Sequence, residues 1–545
     1  MFDLIVRGGT VVDGTGAPAV RRDVGVRGGK IAALGDLGAA VGTAVIDAAG
    51  RAVAPGFVDA HAHSDIALLI NPTCESQVLQ GITTEIMGNC GYSPFPVHPA
   101  NTRMLLDPPG TEVSWSGVEE YLDRLSRGTS INAYPLVGHG KVRAAVLGRQ
   151  DRPATPEEIR LMREHVREAM HCGARGLSTG LDYEPSTASD LEEIVELAEV
   201  VAQYGGIYTT HIRGYSHNVL NAVAEAIEVG RRAGTPVVIS HLGVFGRQNW
   251  GRGPRLIGLM ARARAQGVKV ACDMMAYPTA GAWWGPRAIL PPWAYDWRKP
   301  WEMQVPSLRA IIADQDSRAR LRGEIEARRT RPKFGFDQEF LMFSDWRDIY
   351  LMEVAPGSPA AADAGRTIGE IAASRGVEPV DLFLRLIQEE GEHLSTLHAP
   401  LDPEAFDLLM RDPFTMFGTD AIGSAIHRLH EPFNPLQPHP RHFGTFPRLL
   451  ETFVRREGRL TLEEAIRRMT SLPADVFGLR GRGRLAEGCA ADMVVFDPAT
   501  IAERGTYRRP AAYPAGIDAV IVNGSVAARA GSVTGDLPGR PLVRQ

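Results

Sequence analysis

The sequence predicts a protein of the α/β class, a (β/α)8 TIM barrel with a small β-sandwich formed by both chain termini. Three observations predict it. Short apolar runs that end in polar residues alternate with helical stretches through the middle of the chain. The two ends use a different vocabulary, β-branched runs separated by glycine turns. The 545 residues exceed one minimal domain and suffice for a large barrel with an accessory unit.

Residues 1–53 read as the first part of the sandwich: LIVRGGTVVDG sets β-branched residues around a Gly-Gly pair, and DVGVRGGKIAALG repeats the theme. The barrel is expected over 54–480. VAPGFVDAHAHSD is a strand running into a polar loop, and EIMGNCGYSP is another strand end. INAYPLVGHG, ARGLSTGL, GIYTTHIRG, PVVISHLGV, KVACDMMAYP and PFTMFGTD each read as a buried parallel strand. Helical segments such as PATPEEIRLMREHVREAMHCG and LNAVAEAIEVGRRAG lie between them, so the sheet is parallel with helical crossovers. That many repeats fit a closed barrel better than an open sheet, and in barrels the chemistry sits at the C-terminal ends of the strands. One segment, near 283–348, is rich in Trp, Pro and Arg and carries no βα unit; it reads as a lid-like insertion on the catalytic face. Residues 481–545 return to strands in ADMVVFDP and IDAVIVNGSVAARAG and complete the sandwich.

Composition narrows the function. The formal net charge of -5 comes without a basic stripe, which argues against a nucleic-acid partner. The cysteines Cys74, Cys90, Cys172, Cys272 and Cys489 are scattered and never form a CxxC pair, against a disulfide framework or a structural zinc knuckle. No run of about 18 apolar residues exists and MFDLIVRGG lacks a basic n-region. The expectation is a cytoplasmic protein that acts on a small molecule and takes no membrane partner.

The chemistry-bearing residues cluster at the strand ends. His61 and His63 close GFVDAHAH, and residues two apart in a strand point the same way, so both imidazoles can reach one metal. Cys90 sits in an Asn-Cys-Gly turn; it is either a buried structural thiol or a thiolate ligand. His211 and His241 each end an apolar run one βα repeat apart, which puts them on neighbouring strands; singly, each also fits a satisfied core histidine. Sulfur with imidazole nitrogen favours Zn²⁺ over Mg²⁺ or Ca²⁺. Asp420 ends PFTMFGTD, where a carboxylate is placed to act as general base on a metal-activated water; the competing role is N-cap of a helix starting at AIGSAIHRL.

The blocks PGFVDAHAHSD, GITTEIMGNCGYSP, LVGHG, GARGLSTGLDYEP, TTHIRG, ISHLG, GTDA, HPRHFGTFPR, MTSLPADVFGL and ADMVVFDPATI together resemble the D-aminoacylase (N-acyl-D-amino-acid deacylase) group of the amidohydrolase superfamily. The resemblance covers nearly the whole chain. It implies a zinc-dependent hydrolase that cleaves the C–N bond of N-acyl-D-amino acids, with Asp420 as general base and acid. It implies one tight zinc on Cys90, His211 and His241, and a second, weaker metal site on His61 and His63 with Cys90 shared. Cys90 would stand where other superfamily members bridge two metals with a carboxylated lysine. Tyr183, Tyr277, Arg441 and His139 match substrate-contacting elements, and the Arg441 guanidinium would pair with a substrate carboxylate in a fork.

The chain also departs from that pattern. Gly243 stands where the family often carries a lysine for the α-carboxylate, and Trp283 and Trp284 add apolar surface that suits a bulky or aromatic acyl group. An amide without a free α-carboxylate, aryl or cyclic, is therefore the alternative substrate. A non-catalytic ligand-binding barrel is the alternative of another class, and the intact ligand and base residues argue against it.

Overall fold

A computed structural model of the chain describes residues 1–98, 113–148, 150, 152–278, 289–291, 293–295, 301–330, 345–398, 401–428, 439–507 and 509–543. Both chain ends build one nine-stranded sheet. The early strands Phe2–Val11, Val20–Arg27, Lys30–Gly35, Gly42–Asp47 and Ala52–Pro55 join the late strands Met493–Phe496, Ile517–Val522, Ser525–Arg529 and Ser532–Val533. The seam is the antiparallel pairing of Ala52–Pro55 with Met493–Phe496. Side chains alternate across it, as the period of two requires. Val53, Met493 and Val495 enter the core of the terminal unit with Leu4, Val24 and Ile521. Ala52, Ala54, Val494 and Phe496 face the large barrel core. The hairpin turns are two-residue turns with positive φ at both positions, Gly28-Gly29 (58° and 72°) and Asn523-Gly524 (49° and 86°), the geometry that matches the twist of paired strands.

The barrel starts after Gly56. Its parallel strands are, in spatial order, Phe57–Asp59, Ile82–Met87, Asn132–Pro135 continuing as Val137–Gly138, Gly176–Gly180, Ile207–His211, Val237–Ile239, Val270–Met274 and Thr415–Phe417. Ala62 bridges Ala421 in parallel and the Ala60 amide donates to Phe417 O at 3.2 Å, which closes the eighth strand onto the first. Every apolar run expected to be a strand is one. The interior below the catalytic end is filled by Val58, Ile86, Tyr134, Ile207, Val238, Ala271 and Met416, and Leu472, Ala474, Phe477 and Leu479 plug the bottom. Among the described residues the barrel interior is thus a packed core beneath the C-terminal strand ends.

The crossover helices follow from their sequences. Pro156–His171 begins with a capping box between Thr155 and Glu158 and a proline in its first turn, and buries Ile159, Met162, Val166, Ala169 and Met170 along one face. Val219–Ala233 ends on Gly234 at φ 70°, the left-handed C-cap that glycine supplies without strain.

Between the seventh and eighth strands the chain makes a long excursion. Its described part contains the helices Trp301–Ala313, Gln315–Thr330, Ile368–Arg375 and Pro379–Glu390 and an antiparallel pair, Ile349–Glu353 with Ser395–His398. This unit has its own core, running from Ile289 to Leu394 and centred on Leu308, Ile349, Phe383 and Leu384. The sequence expectation ended the insertion near residue 348. The unit continues because a strand and two helices follow, the first with a Thr367–Glu370 capping box and the second with a proline in its first turn, which in sequence look like the next βα repeat. Trp283 and Trp284 lie outside the described residues. Among the described residues no helix is long and apolar enough to cross a membrane.

Candidate metal centre and active site

The barrel delivers its polar residues to one place. His61 and His63 follow the first strand, Cys90 the second, His211 ends the fifth, His241 follows the sixth, Asp273 lies in the seventh and Asp420 follows the eighth. Three of them, Cys90 (φ 55°), His241 (φ 33°) and Asp420 (φ 48°), hold the left-handed backbone conformation that non-glycine residues rarely adopt. Each sits just past the end of its strand, and each belongs to a close group of ligand atoms. Strained backbone of this kind persists where surrounding structure over-determines it, above all at functional sites.

Cys90 Sγ lies 3.2 Å from His61 Nε2 and 3.4 Å from His241 Nε2. Ligand atoms of His61, Cys90 and His241 fall within 4.8 Å of one another, and so do those of His61, His63 and Asp420. Neighbouring ligands of a tetrahedral zinc with bonds of about 2.0–2.3 Å stand about 3.3–3.8 Å apart; the 3.4 Å spacing to His241 falls inside that range and the 3.2 Å spacing to His61 just short of it. Burial drives His61 down to about 3 and His241 to about 4, which keeps both imidazoles neutral, the form that binds metal. Burial likewise pushes the Cys90 thiol well up; a bound cation would hold it as thiolate. The donor set therefore fits zinc.

His211 is not in either close group. Its ring lies 4.7 Å, centroid to centroid, from that of His241, 5.0 Å from Tyr183 and 4.9 Å from Tyr215, and its Nε2 is 3.7 Å from Asp182 Oδ2. His61 completes the close group with Cys90 and His241, and His211, which the resemblance names as their fellow ligand, packs against the His241 ring.

Asp420 Oδ1 stands 3.2 Å from His63 Nε2 and 3.6 Å from His61 Nε2, while Oδ2 accepts a hydrogen bond from Arg441 Nη1 at 2.9 Å. Residues 421–425 form no helix, and the first helical turn is Ile426–Arg428, so Asp420 caps nothing. Burial pushes the Asp420 carboxyl up, but Arg441, His63 and His241 outweigh it and hold it well below the usual carboxylate range. Arg441, named from the sequence as a substrate fork, is fully buried and engages the carboxylate of this aspartate.

Two residues that the sequence reading passed over complete the centre. Asp273 accepts the His241 amide at 2.7 Å and so braces that ligand, and its other oxygen stands 3.4 Å from His61 Nδ1 without a hydrogen bond between them. Burial lifts its carboxyl to about 7. Asp59 accepts the His61 amide at 3.1 Å and the Thr419 amide at 2.9 Å, tying the first strand end to the eighth. The signal for both was available: a lone acid in an apolar run, FVDAH and VACDM, as for His211 and His241.

The other residues named from the sequence fall around this centre. Tyr183 donates to Cys90 O at 2.6 Å and stacks on Tyr92 at 5.2 Å. Tyr277 donates to Glu503, which comes from the C-terminal part of the chain and also pairs with Arg448 at 3.1 Å; nothing in the sequence pointed to Glu503. His139 is fully buried with both ring nitrogens engaged, Nδ1 with Ser186 at 2.8 Å and Nε2 with Glu193 at 2.7 Å, and the structure does not bring it to the metal group. Gly243, two residues after His241, has its space filled: a Cβ there would lie 2.5 Å from Leu401 Cδ1 and 3.1 Å from Phe245 Cε2.

A model of the Amidohydrolase family matches residues 44–282 and 346–528, most of the chain, and skips the start of the excursion between the seventh and eighth strands. The chain is 36% identical to a D-aminoacylase of Alcaligenes xylosoxydans xylosoxydans, over 100% of this chain and 98% of the relative. A solved D-aminoacylase structure, 33% identical, superposes with a TM-score of 0.77 over 100% of both chains; it is described by a binuclear metal center with one-metal activation and second-metal attenuation. The N-acyl-D-glutamate deacylase of Bordetella bronchiseptica, complexed with zinc and a phosphonate that mimics the tetrahedral intermediate, is 32% identical and superposes equally well, at 0.77 over 100% of both chains.

Proposed function

This chain belongs to the amidohydrolase family, within its D-aminoacylase group, and from that premise we propose that it deacylates N-acyl-D-amino acids with Asp420 as the residue that moves the proton. The observation that carries the proposal is the convergence of Cys90, His241 and Asp420, each on a left-handed backbone, with His61 between them. Zn²⁺ in this donor set would lower the pKa of a water to about 7 and polarise the scissile carbonyl. Cys90 and His241 form the common element of the tight site, flanked by His61 on one side and His211 on the other; His61, His63 and Asp420 offer the weaker second position.

The protein's own groups then divide the work. Asp420 Oδ1 takes the proton of the attacking water and returns it to the departing nitrogen, which cannot leave as an anion. Arg441 fixes Oδ2 and so decides which oxygen faces the reaction. Asp273 and Asp59 hold the backbones of His241 and His61, so that the ligands are placed before substrate arrives. The closed floor of the barrel leaves the C-terminal end as the route for substrate.

A second reading, an amide without a free α-carboxylate, is favoured by the filled space at Gly243 and by the engagement of Arg441 with Asp420. One experiment separates the two: turnover of zinc-loaded protein on a panel of N-acyl-D-amino acids, their L-enantiomers and neutral anilides with the same acyl groups. The first reading expects the D-acids to lead by at least tenfold in kcat/KM. Anilides ahead of the D-acids would establish the second.

A further inference from the structure

The pairing Ser186–His139–Glu193 has the composition of a hydrolytic triad, with Nδ1 and Nε2 of one imidazole bridging a hydroxyl and a carboxylate. Its surroundings exclude that use. Ser186 is 1% exposed, His139 0% and Glu193 1%, so no substrate reaches the hydroxyl. Arg143 Nη1 binds the second oxygen of Glu193, completing a buried network.

The network ends on the metal centre's supports. Ser186 lies in the loop after the fourth strand, and its amide donates to Tyr183 O at 3.1 Å. The same loop is held from the other side by Arg213, whose Nη1 donates to Thr187 O at 2.9 Å and Nη2 to Ser189 O at 3.0 Å. Tyr183 in turn gives its hydroxyl proton to the carbonyl of Cys90 at 2.6 Å. The contact is close enough that a Cβ on Gly180 would lie 2.2 Å from that hydroxyl and 2.4 Å from that carbonyl. The accepting carbonyl belongs to Cys90, whose backbone holds φ 55° and whose thiol meets His61 and His241. Glu193 stands in the first turn of the helix Leu191–Gln203, capped by Asp190, so the anchor is a rigid element rather than a loop.

We propose that His139 is a positioning residue of the metal centre: by clamping Ser186 to Glu193 it fixes the loop that carries Tyr183, and Tyr183 fixes the strained Cys90 turn. The inference rests on the reading of Cys90 as a zinc ligand. Groups one step behind a metal ligand typically account for about 10–100-fold in metal affinity. His139, two contacts behind, is expected at the lower end, about tenfold.

The test measures zinc affinity by competition with a chromophoric chelator, the visible spectrum of the Co²⁺-loaded protein, and kcat on the best amide of the panel. The variants are Ser186→Ala, His139→Gln, His139→Phe and Tyr183→Phe, with Ser186→Ala/Tyr183→Phe to close a cycle. Expected are a roughly tenfold weaker zinc affinity and altered Co²⁺ bands in Ser186→Ala and His139→Phe, partial rescue by Gln, which can still bridge Ser186 and Glu193, and no further loss when Ser186→Ala is added to Tyr183→Phe. Thermal melts accompany each variant, and Ser186→Ala keeps the test open should His139→Phe not fold. Unchanged zinc affinity and Co²⁺ spectrum in folded Ser186→Ala, or losses that simply add in the double variant, overturn the inference alone. Wild-type protein that binds no zinc overturns the ligand reading beneath it.

Discussion

Arg441, with no exposed side-chain surface, donates from Nη1 to Oδ2 of Asp420 at 2.9 Å, and this leaves Oδ1 as the oxygen that faces His63 and His61. A buried guanidinium thus orients the proposed base and lowers its proton affinity. The two effects have different measurable consequences.

The charge effect shows in the pH profile. Burial alone would raise the Asp420 carboxyl, and Arg441 is the leading influence that brings it below the usual carboxylate range. A depressed carboxyl stays ionised as pH falls until its own low pKa, so in the wild type Asp420 does not set an acid limb near neutrality. Arg441→Met removes the lowering influence and leaves the burial. The acid limb of kcat/KM is then expected to move to higher pH by about one unit or more. A profile that superposes on the wild type would show that Arg441 does not govern this group.

Asp420→Asn preserves shape but removes the proton acceptor. General acid–base assistance is worth ~10²–10⁴-fold, so kcat is expected to fall at least about 10²-fold while tight zinc is retained. Since residues 421–425 form no helix, the substitution has no cap to disturb. Near-normal turnover with intact folding would place the base elsewhere.

Cys90 is the common member of the close sulfur–nitrogen contacts. Cys90→Ala is expected to lose both tightly bound zinc, measured as metal content after dialysis, and activity. Chelation of the wild type should abolish turnover and zinc should restore it. Full zinc and full turnover in Cys90→Ala would remove it from the ligand set.

Glu85 offers a stability test away from the metal. It is fully buried beside Gln77, is the cross-strand partner of Asp59, and burial foremost, then the Asp59 charge, raises it to about 8. The unfolded value is about 4.3. A carboxyl raised on folding gives its full contribution below the unfolded pKa, and that contribution drains away as pH rises through the folded one. The Glu85 contribution should therefore drain away between about pH 4 and pH 8, and the metal-free wild type should lose stability relative to Glu85→Gln as pH rises across that window. Urea midpoints at a series of pH values check it; equal slopes in the two proteins would mean that Glu85 does not titrate there.

The strands were legible because a parallel barrel strand is buried on both faces and reads as an apolar run, and because each catalytic strand ends on one residue that does not belong in such a run. His61, Cys90, His241 and Asp420 stand out on that ground alone. The same rule would have marked Asp273 and Asp59. What sequence could not supply is distance. His61 and His211 look equivalent in the chain, and only the geometry sets His61 against Cys90. His139 looks like another strand-end histidine, yet its partners lie 47 and 54 residues away, on a loop and a helix that carry no pattern linking them to it. Glu503 reaches Tyr277 from 226 residues away. The excursion between the last two strands was recognised by its composition, but its end was hidden because its second half is built from ordinary strand and helix sequences.

The seam between Ala52–Pro55 and Met493–Phe496 also orders events during synthesis. The first of these strands leaves the ribosome with its neighbour Phe2–Val11 already made, while the partner for its other edge is encoded roughly 440 residues later. At about 5–20 residues per second that interval is on the order of 20–90 s. For that time the nascent chain carries an apolar edge, Ala52 to Pro55, with open backbone groups, which is the kind of edge that recruits wrong partners. The whole barrel is translated in the meantime, so the terminal unit can finish only after the catalytic one has emerged.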